Sequence, residues 1–298
     1  MNGLKQLALI GPTASGKTAL AVKLAQKIDA YILSLDSLAI YKEIDIVSAK
    51  PTEEERGGIR HFGIDVLYPN EPFDVTTFAA LYQEVLQQCH TDAKHLVIVG
   101  GTSFYLKMLL EGISDIPSIN AITKKKITHM MIHPDKTYDM LCRYDPTYMT
   151  QIKRGDTYRI QKALEIYLAT KKIPSIYFRE HPPHPIITDP LPIYEIIWER
   201  ELLRERIGLR TEVMLNSGLI DEIVMLEKKY TRAPNAMKAI GIKETLAYLD
   251  GAYDKKMLKE KITTNTARLA KRQATFNRSQ FKEVVRADLK TLEKMLLQ

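Results

Sequence analysis

The chain has 298 residues, of which 45% are hydrophobic and 27% charged, which is ordinary for a folded globular protein and leaves room for one large domain or a core plus a subdomain. Its net charge of +7 suggests an anionic partner without choosing one. No apolar run reaches membrane-spanning length, no cleavable signal precedes the first strand, and Cys89 and Cys142 lack the spacing of a zinc or disulfide framework, so a cytoplasmic protein with no membrane partner is expected.

In chain order, Leu7 to Ile10 reads as a buried strand and Ala19 to Ile28 as a helix. Between them, Gly11, Pro12, Thr13, Ala14, Ser15, Gly16, Lys17 and Thr18 form a complete G-x-x-x-x-G-K-T phosphate loop. Such a turn aims backbone N–H groups and a helix N-terminus at one small volume; Lys17 adds charge, and the Thr18 hydroxyl suits Mg²⁺. A second apolar run, Tyr31 to Leu35, delivers Asp36 at the end of a strand where ligands of parallel sheets bind. Leu38 to Pro51 reads as an ordered loop, and Asp74 or Thr76 as the cap of a helix over Thr77 to Gln88. Leu96 to Val99 forms a third strand that ends in Gly100, Gly101 and Thr102.

The alternation of strand and helix predicts an α/β fold with a parallel, P-loop-type sheet. From Ser114 the pattern changes to short helices and a Pro-rich loop at His181 to Pro185, which predicts a mostly helical insertion over residues 115–192. The core then comprises 1–114 and 193–298. Ile193 to Trp198 reads as a returning strand. Glu201 to Tyr230 is helical with a break at Gly218, and most of Arg200, Arg204, Arg206 and Arg210 read as a solvated face. Lys255 to Arg278 is a basic helix whose one acid is Glu260.

Of the carboxylates, Asp36 alone ends a strand. It can anchor Mg²⁺ through water, accept a proton from a nucleophile, or cap the turn that follows. The residues by themselves leave open a small-molecule kinase, a transferase, and a non-catalytic RNA-binding protein.

The blocks G-P-T-A-S-G-K-T, L-S-L-D-S-L-A-I-Y-K-E-I-D-I-V-S-A-K-P, V-G-G-T-S-F-Y-L-K, D-T-Y-R-I-Q-K-A-L-E, A-M-K-A-I-G-I-K-E and T-A-R-L-A-K-R-Q-A-T-F together span nearly the whole chain. In this order the sequence resembles the bacterial tRNA dimethylallyltransferases, also called tRNA isopentenyltransferases. The resemblance implies transfer of a dimethylallyl group from dimethylallyl diphosphate to N6 of the tRNA adenosine 3′ of the anticodon, with Mg²⁺ as cofactor and a monomer as the working unit. It implies catalytic roles for Asp36, Thr102 and Lys17, with Asp36 the general base, and diphosphate contacts from the phosphate loop and Lys238. Ser37, Leu38 and Ala39 are implied to touch the flipped base together with Asp36 and Thr102. The anticodon stem-loop is implied to meet Lys124, Tyr158, Arg159, Ile160, Gln161, Lys162, Lys238, Arg268, Lys271, Arg272 and Phe276. The chain departs from the family pattern at Lys238, Lys124 and Lys162, which stand for arginines, at Phe276 for Trp, at Ile242 for Tyr, and at Phe62 for a second His. An ammonium cannot make the bidentate fork of a guanidinium, so the contact implied at Lys238 is changed in geometry though not in sign. An adenylate isopentenyltransferase, acting on a free nucleotide, is the alternative within the same chemistry.

Overall fold

The computed structural model describes residues 4–298, so residues 1–3 of the expected core lie outside the described residues. The chain divides into two compact units, Met1–Met108 with Ile187–Gln298, and Leu109–Ile186.

The first unit is built on a six-stranded sheet in the order β3-β2-β4-β1-β5-β6, with β1 at Gln6–Ile10, β2 at Ala30–Leu35, β3 at His61–Phe62, β4 at His95–Gly100, β5 at Ile193–Ile196 and β6 at Val285–Ala287. Every pairing is parallel. Parallel strands are covered on both faces, which is why the central ones are continuous apolar runs: Ala8, Leu9, Ile10, Leu96, Val97 and Ile98 are fully buried. The chain leaves β1 toward β2 and β4 on one side, while β5 pairs on the other, so the reversal of order opens a crevice at the C-terminal end of β1.

Helix α1 (Lys17–Ile28) follows the phosphate loop directly. Helix α2 (Val75–Thr91) starts where Asp74 accepts hydrogen bonds from the amides of Thr76 and Thr77, at 3.0 Å each. Of the two expected caps Asp74 is therefore the one used, and Thr76 lies inside the first turn. Helix α3 (Ser103–Glu111) begins immediately after Thr102. On the C-terminal side, α9 (Arg200–Asn216) and α10 (Leu219–Tyr230) are separated at Gly218, whose φ of 98° few other residues adopt. A short 3₁₀ turn at Asn235–Lys238, α11 (Ile242–Leu249) and the long α12 (Lys255–Gln280) follow, and α13 (Leu289–Leu297) closes the chain. Ile40, Ile44, Leu219, Ile223, Ile242 and Leu258 join the C-terminal helices to the segment after β2 in one core.

The buried carboxylate of Glu195 on β5 ties this layer to the sheet. It accepts from Asn277 Nδ2 of α12 at 2.9 Å and from Arg286 Nε of β6 at 2.7 Å, the pairing a buried charge requires. The elements that escape the sequence reading are β3 and β6, too short to show periodicity, the 3₁₀ turn at Asn235–Lys238, α11 and α13. The expected strand over Ile193 to Trp198 ends at Ile196, and Trp198 turns toward the phosphate loop.

The second unit is helical, with α4 (Ala121–Met130), α5 (Pro134–Tyr144), α6 (Pro146–Met149), α7 (Thr157–Thr170) and α8 (Pro174–Glu180). Its own core holds Ile127, Leu141, Met149, Ile160, Leu164 and Leu168. Asp145, 1% exposed, accepts from the amides of Tyr148 and Ser175 and so fixes α6 against α8. The two ends of the unit lie side by side, since the amide of Ile186 donates to the carbonyl of Leu109 at 2.9 Å and Ile113 bridges to His184. His181 is stacked on Tyr177 at 4.2 Å. Among the described residues no helix is long and apolar enough to cross a membrane.

Candidate active site

The loop from Gly11 to Thr18 joins β1 to α1. Gly16 takes φ 88° at the N-cap, and no side chain caps the helix there, so its first amides are left for an incoming group. Four side chains brace the loop. Trp198 Nε1 donates to Ser15 O at 3.0 Å; Arg206 Nε donates to Ala14 O at 2.9 Å, its guanidinium 4.7 Å from the Trp198 ring. Gln273 Oε1 accepts from the Thr13 amide at 3.0 Å, and Lys17 Nζ donates to Pro12 O at 2.8 Å.

Lys17, Thr18, Asp36, Lys50, Gly101 and Arg210 line one cavity of about 90 Å³ at the end of β1. Enclosure of the Lys17 ammonium and the positive charge of Arg210 bring its pKa down to about 8, against the opposing pull of Asp36. Arg210 is itself lowered by burial, with Asp36 and Glu55 acting in the other direction. Two half-buried cations beside a helix N-terminus suit a multiply charged anion. Arg210 is therefore not part of a solvated face but lines the cavity, while Arg206, exposed as expected, also braces the loop. Their i, i+4 spacing on α9 is the one sign the sequence offers, and a surface helix carries the same spacing.

Asp36 follows β2. Its Oδ1 accepts from the amides of Leu38 at 2.8 Å and Ala39 at 3.1 Å, so it does cap the turn, while it also lines the cavity beside Lys17. Thr102 is fixed to the same turn from both directions: its amide donates to Leu35 O at 3.1 Å, and its hydroxyl accepts from the Ser37 amide at 3.3 Å. Beyond Asp36 and Thr102 lies a chamber of about 280 Å³ whose walls include Leu38, Val47, Ile207, Met214 and Ile262. Asp36 and Arg210 line both cavities, so an anionic group and an apolar group of one ligand can be held to either side of them.

One wall comes from the loop after Ile44. Glu222 of α10 accepts from three successive amides there, Asp45 at 2.9 Å, Ile46 at 2.6 Å and Val47 at 3.0 Å, and the ammonium of Lys50 is held by Tyr41 O, Asp45 and Asp65. Nothing in the sequence marks Glu222, because its partners are backbone groups.

The remaining candidates fall elsewhere. Lys238 is exposed on the 3₁₀ turn and does not line either cavity; the residues after it, Ala239, Ile240 and Gly241, line the chamber. Arg268, Lys271, Arg272 and Phe276 are brought together on one face of α12, where they line a shallow groove. Phe276 meets the exposed Phe104 edge-on at 6.5 Å. In the helical unit, Lys124, Tyr158, Arg159 and Gln161 are exposed, with Arg159 bonded to Asp156 at 2.7 Å. Lys162 donates to Glu165 at 2.8 Å. Ile160 is fully buried in that unit's core, so its side chain packs helices and is not offered to a ligand.

Fold and site define a phosphate-loop α/β protein whose anion site adjoins an apolar chamber. A family model described as IPP transferase matches residues 39–280, and the chain belongs to that family. It is similar to the tRNA dimethylallyltransferase of Sulfurovum sp. (strain NBC37-1), 64% identical over 99% of this chain and 98% of the relative. Among solved structures, it is similar to the full-length tRNA isopentenylpyrophosphate transferase of Bacillus halodurans, with a TM-score of 0.70 and 29% identity over 99% of this chain and 94% of that one. It is also similar to a eukaryotic dimethylallyltransferase acting on tRNA, with a TM-score of 0.83 and 26% identity over 96% of this chain and 75% of that one.

Proposed function

We propose that this protein transfers the dimethylallyl group of dimethylallyl diphosphate to N6 of the adenosine 3′ of the anticodon in tRNA, releasing diphosphate. The observation that carries the reading is the placing of Lys17, Arg210 and Asp36 around one crevice that continues into an apolar chamber. The loop amides, Lys17 and Arg210 hold the diphosphate and stabilise the charge that grows on it as the allylic C–O bond breaks. The adenosine N6 forms the new bond to the allyl carbon. Asp36 accepts the proton that N6 loses, and Thr102 positions the amine from the same turn. The apolar walls keep water from the cation-like carbon.

Thr18, at the start of α1, and Asp36 line the same cavity as Lys17, and a hydroxyl beside a carboxylate fits a water-coordinated Mg²⁺. Thr18 directly, and Asp36 through water, would hold it, and the ion would neutralise diphosphate charge. The basic face of α12 at Arg268, Lys271 and Arg272, with Phe276 to stack on a base, suits the anticodon stem-loop, and the exposed residues of the helical insertion over Leu109–Ile186 extend the RNA-binding role.

The test is incubation with Mg²⁺, dimethylallyl diphosphate and unmodified tRNA, in parallel with AMP or ATP as acceptor, followed by nucleoside mass analysis. Dimethylallyl adenosine from tRNA alone is the expected result. Product from the free nucleotide would replace tRNA by a nucleotide acceptor, and phosphate release from ATP without any prenylated product would return the loop to NTP chemistry.

A further inference from the structure

Gln273 occupies a position that neither the phosphate-loop motif nor the acid–base chemistry accounts for. It sits on α12, and its carboxamide makes two hydrogen bonds to different strand ends: Oε1 accepts from the Thr13 amide at 3.0 Å, and Nε2 donates to Gly101 O at 3.0 Å. Only a side chain with an acceptor and a donor on one short planar group can do both. A carboxylate loses the second bond, an ammonium the first, and an apolar residue loses both. Gly101 has the matching requirement, since a Cβ there would stand 2.4 Å from Gln273 Nε2, closer than any real contact. Asn277, one turn further along the same face of α12, bonds to Glu195 of β5. The inward face of α12 thus grips both sides of β1, at the two loops through Gln273 and at β5 through Asn277.

We propose that Gln273 is a positioning residue that sets the phosphate loop for diphosphate by tying Thr13 to the Gly101 turn and both to α12. The proposal deepens the function proposed above and rests on diphosphate as the occupant of the loop.

The experiment measures the affinity of full-length wild type, Gln273→Met, Gly101→Ala and the double variant for inorganic diphosphate with Mg²⁺, by calorimetry, together with their affinity for tRNA and their melting temperatures. A residue that merely aids folding changes the number of competent sites and leaves the dissociation constant alone. Expected are a loss of about tenfold in diphosphate affinity for Gln273→Met, the scale of one to two hydrogen bonds, and a comparable loss for Gly101→Ala, which displaces the same carboxamide. The double variant is expected to be no weaker than the weaker single, because both break the same link, with tRNA affinity within about twofold of wild type throughout. Wild-type affinity in both single variants overturns the proposal, as does a double variant whose losses multiply. The prenyl-transfer function is judged separately, on whether the wild type prenylates tRNA: a wild type that binds diphosphate without making dimethylallyl adenosine removes that function and leaves the Gln273 result standing.

Discussion

Lys17 and Arg210, which lie in sequence on either side of the helical unit, line the same cavity, and the positive charge of Arg210 helps burial hold the Lys17 ammonium down to a pKa of about 8. A bound diphosphate reverses that balance and restores the ammonium, so binding takes up a proton once the pH passes 8. Affinity for inorganic diphosphate is therefore expected to be lost as pH rises through about 8, beyond the change that a Lys17→Arg variant shows from the ligand's own titration. Arg210→Leu weakens binding at neutral pH and moves the break upward, because the like charge is gone. Calorimetry across the pH range reads both, and a break unmoved in Arg210→Leu would separate the two cations.

The same shift has a stability consequence. Lys17 titrates below its ordinary value of 10.5, so between about pH 8 and 10.5 the unfolded chain holds more protons than the folded one. The contribution of Lys17 to stability therefore rises with pH across that window. Lys17→Met should flatten this slope in denaturant titrations while abolishing diphosphate binding; an unchanged slope would show that the ammonium is not enclosed as described.

Asp36→Asn keeps the oxygen that caps Leu38 and Ala39 and removes the base. Turnover is expected to fall by about 10²- to 10⁴-fold with melting temperature and tRNA affinity near wild type. Single-turnover kinetics with near-normal rate would exclude Asp36 as proton acceptor.

Glu222→Ala leaves the amides of Asp45, Ile46 and Val47 without their shared acceptor, at a local cost of about 1–3 kcal/mol. Hydrogen exchange at these amides should accelerate while the sheet stays protected, and KM for the prenyl donor should rise because Val47 and Ser48 line the chamber. Protection at residues 45–47 equal to wild type would show that the carboxylate does not hold the loop.

On α12, Arg268→Ala, Lys271→Ala and Arg272→Ala are each expected to lower the salt dependence of tRNA binding, by about 0.7 in the slope of log K against log salt for each phosphate that the variant no longer neutralises. Titrations at several salt concentrations measure this, and identical slopes would move the RNA to another face.

How far the sequence reads ahead of the structure depends on whether a residue's partners are near it in the chain. The phosphate loop is legible because all its parts fall within eight positions, and β1, β2 and β4 because a strand buried on both faces must be an unbroken apolar run. β3 and β6 cover two and three residues and include His61 and Arg286, so no pattern forms. Asp36 shows itself by ending a strand. Arg210, Glu222 and Gln273 do not, since each works on residues far away in sequence and looks on its own helix like any polar surface residue. Lys238 illustrates the converse: motif position suggests the site, while the backbone turns its neighbours Ala239 to Gly241 inward instead.

The strand order also sets a schedule for synthesis. β1 and its loop precede the helical unit in the chain, yet β5 beside β1, Trp198 on Ser15 and Gln273 on Thr13 all come after it. A growing polypeptide on the ribosome therefore carries the phosphate-loop residues long before it carries what shapes them. The set of contacts that shapes the loop is complete only when α12 has emerged.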